Sequence, residues 1–190
     1  MKKFITVLLL FSVCLVKAQM FDGVKIDGAL NSKIQQYRTK GYVLTKVFPE
    51  GRGASLKGNI AGREIELFLF TTEKTKLVFK ALVYLPRQQN WEDLKSDYYK
   101  FVGIFTEKIG QPDNEFSFFR DPYYEGDGYE MQAVALEKVV YSSYWLNKKN
   151  TTVAVSISKY KQVEITYEND TNMQIAKRES FNSTLERFQP

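Results

Sequence analysis

The sequence predicts an α+β fold: tandem helix-plus-antiparallel-strand repeats, with two helices on one face of a mostly antiparallel sheet. Three observations carry this reading. Apolar side chains recur at three- and four-residue spacing in two separate segments, each closed by a glycine. After each segment the apolar period changes to two and stays there for several strands. In those strands apolar and polar residues alternate strictly, as in Val153, Val155 and Ile157 against Ala154, Ser156 and Ser158, which describes antiparallel pairing with one packed and one wet face.

Residues 21–28 alternate before an Asp-Gly stop and suit a short first strand, with Asp27 capping a helix that runs to Lys40. Ala29, Leu30, Ile34 and Tyr37 share one side of that helix, and Gly41 ends it. Period-two segments follow at 42–49, 54–60, 63–71 and 75–85, separated by turns at Pro49-Glu50-Gly51, Ala61-Gly62 and Glu73-Lys74. Asn90 caps a second helix, with Glu92 and Asp93 in its first turn, Lys108 in its last, and Gly110 and Pro112 after it. Its Leu94, Tyr98, Phe101 and Phe105 are expected to be buried. A strand at 115–119, a loop at 121–128, a helical turn at 130–136 and strands at 138–147, 151–159 and 161–168 complete the pattern. The expectation is one domain over 20–190, made of half-repeats 20–88 and 89–168 and a polar tail 169–190 that is loop or loose terminal helix.

Residues 1–19 have the three zones of a secretory signal: Lys2 and Lys3, an apolar run from Phe4 to Val16, and Ala18 before Gln19. Lys3 and Lys17 bracket only thirteen residues, too few for a transmembrane span of about twenty. Export is therefore expected, to the periplasm or the exterior. Losing Lys2, Lys3 and Lys17 leaves 24 basic against 22 acidic residues, so the formal charge of +5 falls to +2. With no basic cluster interleaved with aromatics, nucleic acid is not an expected partner. Cys14, the only cysteine, lies in the signal; Val13 before it is too bulky for a lipoprotein signal, so lipid anchoring is not expected.

The chain contains no histidine, which removes Ser-His-Asp triads, His-ligated zinc and imidazole acid-base chemistry. Without a cysteine after cleavage there is no thiolate nucleophile either. No cofactor or metal is expected. The acids Asp121, Glu125, Asp127 and Glu130 form a hard-oxygen cluster, but their spacing is not that of an EF-hand loop. What remains is binding: Phe68, Phe70, Lys80 and Tyr84 fall on the wetter side of their strands, and Tyr123, Tyr124 and Tyr129 give the following loop large contact area at low rotamer cost. Phe68 and Phe70 have a second reading, as packing beneath a loop or the tail. The expected function is a non-catalytic interaction module whose partner is another envelope or extracellular protein. The alternatives are a carboxylate-based hydrolase acting on polysaccharide and a structural envelope component without a discrete ligand.

The segment Phe21 to Gly28, the Lys40-Gly41-Tyr42 helix end, the helix from Trp91 through Tyr98 to Ile109-Gly110-Gln111-Pro112, Tyr144-Trp145 and Val163 to Glu168 together resemble a family of exported bacterial proteins of unknown function. More distantly, the helix-plus-sheet order resembles the β-lactamase inhibitor protein and the small lipoprotein of the outer-membrane assembly machinery. That resemblance implies recognition of other proteins through a sheet face or loops, and no catalytic residue. The chain departs from both in lacking a lipoprotein signal of good form and paired cysteines.

Overall fold

The computed structural model describes residues 20–187. The export signal expected over residues 1–19, with Cys14, lies outside the described residues. The first described segment corrects the expected single strand. Asp22 and Gly23 take φ of 46° and 73°, the paired positive values that a two-residue hairpin turn needs, so the chain folds into hairpin β1 (Met20–Phe21) and β2 (Val24–Lys25). Asp27 does not cap a helix. Its Oδ1 accepts from the Gly28 N–H at 2.7 Å and from Asn172 Nδ2 at 3.0 Å, and helix α1 (Leu30–Arg38) starts after Ala29 without a side-chain cap. Leu30, Ile34 and Tyr37 are its buried side, as their spacing dictates.

Strands β3 (Val43–Val47), β4 (Gly53–Ile60), β5 (Arg63–Thr71) and β6 (Val78–Tyr84) follow, then helix α2 (Trp91–Ile109). Next come β7 (Asn114–Phe119), helix α3 (Glu130–Ala135), β8 (Val139–Trp145), β9 (Thr151–Ser158), β10 (Gln162–Asn169) and helix α4 (Asp170–Arg187). One eight-stranded sheet has the order β3-β4-β5-β6-β10-β9-β8-β7, and every neighbouring pair is antiparallel. The fold is thus α+β around a large antiparallel sheet. No helix among the described residues is long and apolar enough to cross a membrane.

Because successive residues of a strand point to opposite faces, the register sorts the sheet into cross-strand rows. Leu56, Leu67, Val83, Ile165, Val155 and Ser143 stand side by side across six strands and are all buried. On this face α2 packs: Leu94, Tyr98 and Phe105 are buried, the Tyr98 hydroxyl and Ser143 Oγ are 2.7 Å apart, and Phe105 lies 5.5 Å from Trp145. Asn90 caps the helix through Oδ1, which accepts from the Asp93 N–H at 2.9 Å. Phe101 departs from expectation. It is only half-buried, because it lines a pocket beside the helix rather than the sheet interior.

The tail is a docked helix. Glu179 of α4 accepts from the backbone N–H groups of Lys74 (2.5 Å) and Thr75 (3.1 Å) and from the Thr75 hydroxyl (2.8 Å), which fastens α4 to the β5–β6 turn. Asn172 adds a bond from Nδ2 to the Val78 carbonyl at 2.8 Å. The polar tail is ordered because its side chains satisfy backbone groups that a turn leaves open.

Candidate functional site

The second face of the sheet is built by the residues between those core positions. One row runs Lys57, Glu66, Tyr84, Glu164, Ser156, Ser142, Phe116, and the next runs Ser55, Phe68, Leu82, Thr166, Ala154, Tyr144, Asn114. In the first row Tyr84 and Phe116 bracket Ser156 and Ser142, with Lys57, Glu66 and Glu164 adding charge, and in the second Phe68 and Tyr144 bracket Leu82, Thr166 and Ala154. At about 4.8 Å per strand the rows extend roughly 29 Å from β4 to β7. Most of these side chains are half-exposed, and Phe116 is 46% exposed at the β7 edge, where its ring meets that of Tyr144 at 6.3 Å.

On the β3 to β6 side the aromatics form a connected ladder. Phe48 stacks on Phe68 (6.4 Å) and touches Phe70 (6.1 Å), Phe68 meets Tyr84 edge-on (5.8 Å), and Tyr84 meets Tyr160 (6.4 Å). Phe48 enters just before the 3-10 turn Pro49–Gly51, so Phe68 and Phe70 are half-covered by the β3–β4 connection. Lys80, directly opposite Phe70, pairs with Glu168 at 3.1 Å across the β6–β10 seam. Burial, and the Glu164 carboxylate beside it, push the Tyr84 phenol well above its ordinary pKa, so it stays a neutral donor. Tyr84, Ser156, Glu164 and Tyr160, with Arg120 and Lys159, line a cleft of about 400 Å³ at one corner of this face.

The register thus brings Phe68, Phe70, Lys80 and Tyr84 together. The three loop tyrosines are placed elsewhere. Glu125 accepts from Trp91 Nε1 (3.2 Å) and the Tyr141 hydroxyl (3.3 Å) and pairs with Lys95, so the loop is anchored to the start of α2 and to the α2-covered face of β8. Asp127 accepts from the N–H groups of Tyr124 and Tyr129, and Glu130 from that of Gly126. These carboxylates organise their own loop. Tyr123 is half-buried and takes a bond from Gln132 Nε2, while Tyr124 and Tyr129 are 65% and 61% exposed.

Sequence reasoning missed three participants. Phe48, at the end of the segment expected over 42–49, and Tyr160, between two expected strands, both lie next to turns, and only the fold brings their rings onto Phe68, Phe70 and Tyr84. The third is the pocket beside α2. Its signal was present in the excess width of the helix's apolar stripe, since Ile104 lies well to one side of the line formed by Leu94, Tyr98, Phe101 and Phe105. Comparison with protein-family models, curated proteins and solved structures returned no match.

Proposed function

We propose that this is an exported, non-catalytic interaction module, a tandem pair of helix-plus-sheet units whose two helices back one side of the sheet and leave the other to a partner protein. The observation that carries it is the pair of cross-sheet rows in which Tyr84, Phe68, Tyr144 and Phe116 stand around the small residues Ser156, Ala154 and Thr166. Interface cores favour Tyr, Phe and Trp with a polar rim, and Ala154, Ser156 and Thr166 beside these aromatics are small enough to admit side chains of a partner.

The test is site-specific cross-linking in the native envelope, with a photoreactive residue at Ser156. One defined adduct, abolished by Ala154→Arg and kept by Tyr124→Ala/Tyr129→Ala, is the expected result. Adducts unchanged by Ala154→Arg would remove the sheet face from the reading, and loss through the loop variant alone would transfer recognition to the tyrosines.

A further inference from the structure

Beside α2 lies a pocket of about 410 Å³, within the ~300–1,000 Å³ range of small-molecule sites. Phe101 and Ile104 form its helix wall, Val83, Leu85 and Ile165 its floor, and Phe21 of the β1–β2 hairpin its far side. The helix residues along it run from Lys100 to Ile109, so at 1.5 Å per residue it is elongated, roughly 14 Å along the helix. Its lining is mostly apolar, but two cations, Lys100 and Lys108, stand exposed at the rim. Among the described residues neither makes an ion pair within 4.0 Å, although the Lys100 charge helps to lower the pKa of Asp97, three residues earlier on α2. Of the other charged residues here, Arg63 is committed to Asp97, and Asp22 is an acid on the hairpin side.

An elongated apolar slot with two exposed ammonium groups on one wall is complementary to a long apolar chain ending in a negative charge. We propose that this pocket binds a single-chain amphiphile of the fatty-acid class, its acyl chain lying along α2 and its carboxylate at the lysine rim. Each methylene placed in the slot strengthens binding about fourfold through apolar burial. The carboxylate head gains a charge-assisted contact that a neutral or cationic head does not. This site is separate from the open sheet face, being on the helix-covered side.

The experiment is calorimetric titration of the purified protein with laurate, decanoate, dodecanol and dodecyltrimethylammonium, each below its aggregation threshold. Laurate is expected to bind, decanoate roughly fifteenfold more weakly for two fewer methylenes, and the other two heads at least tenfold more weakly than laurate. Ile104→Trp, which fills the slot from a partly exposed position, is expected to cost at least tenfold while leaving circular dichroism and melting unchanged. Lys100→Glu/Lys108→Glu, both exposed and independent of the core, is expected to reverse the preference toward the cationic head. A laurate Kd above about 1 mM would overturn the proposal. So would equal affinity for dodecanol, undiminished binding in both variants, or tighter binding of lauroyl lysophosphatidylglycerol than of the free acid.

Discussion

Arg63 and Asp97 meet as a two-pronged pair between β5 and α2, with Nη1 to Oδ1 at 2.7 Å and Nη2 to Oδ2 at 2.6 Å. Both side chains are largely shielded, and Gln88 Nε2 bonds the same carboxylate at 2.5 Å. Asp97→Ala is expected to cost about 1–3 kcal/mol, between the ranges for exposed and buried pairs, read from the denaturant midpoint.

The same carboxylate sets a pH dependence. Burial alone would raise the Asp97 pKa, but the hydrogen bonds from Arg63 and Gln88 outweigh it and leave the value below its ordinary 3.8. A group depressed in the folded state contributes stability above its unfolded pKa and loses it as pH falls through the folded one. Melting curves of the wild type are therefore expected to fall more steeply below pH 3.8 than those of Asp97→Asn.

Tyr98 and Ser143 are both fully buried, and burial pushes the phenol up to about 12. Tyr98→Phe leaves the serine hydroxyl without its partner and is expected to cost about 1–2 kcal/mol. Adding Ser143→Ala removes the stranded hydroxyl, so the double variant should lose less than the sum of the single losses in a denaturation cycle.

Glu179→Ala is expected to release α4 from the β5–β6 turn. Three bonds to one carboxylate are lost and two backbone N–H groups lose their acceptor, at a cost of about 1.5–3 kcal/mol. Hydrogen exchange should rise first at Lys74, Thr75 and the C-terminal half of α4, while α2 stays protected.

Gly58→Ala tests the fit of Tyr42 over β4. A methyl group at this position would stand 2.3 Å from the Tyr42 ring, which is itself buried, so the ring must move. The expected loss is about 1–3 kcal/mol, and Tyr42→Ala in the same chain should make the glycine replacement nearly neutral.

How legible these features were depends on the kind of force behind each. The strand over 63–71 matches β5 end to end, because alternating burial and the Ala61-Gly62 turn both mark it locally. Helix α2 matches as well, since cap, charge pattern and apolar spacing agree. Helix α4 carried no apolar stripe to read; it is held by Asn172 and Glu179, whose partners lie about a hundred residues earlier. Asp27 had the right chemistry for a cap, but Gly28 and Asn172 compete for its oxygens. At the candidate surface, period two sufficed to put Phe68, Phe70, Lys80 and Tyr84 on one face. The separation of the tyrosine loop from that face rests on Glu125 reaching Trp91 and Tyr141, which no local pattern encodes.

The middle of the sheet is its last part to be closed by local sequence. Each outer meander, β3 to β6 and β7 to β10, joins strands that follow one another in the chain, whereas β6 and β10 meet with Tyr84 opposite Glu164, 80 residues apart. Closing that seam carries a loop-entropy cost that the hairpins do not. Until it forms, the inner edges of β6 and β10 present unpaired backbone groups to any neighbouring chain. Refolding is therefore expected to be limited by the encounter of β6 with β10, slow on the scale set by non-local sheet topology. Refolding yield should fall with protein concentration, because another copy's meander can take the place of the chain's own.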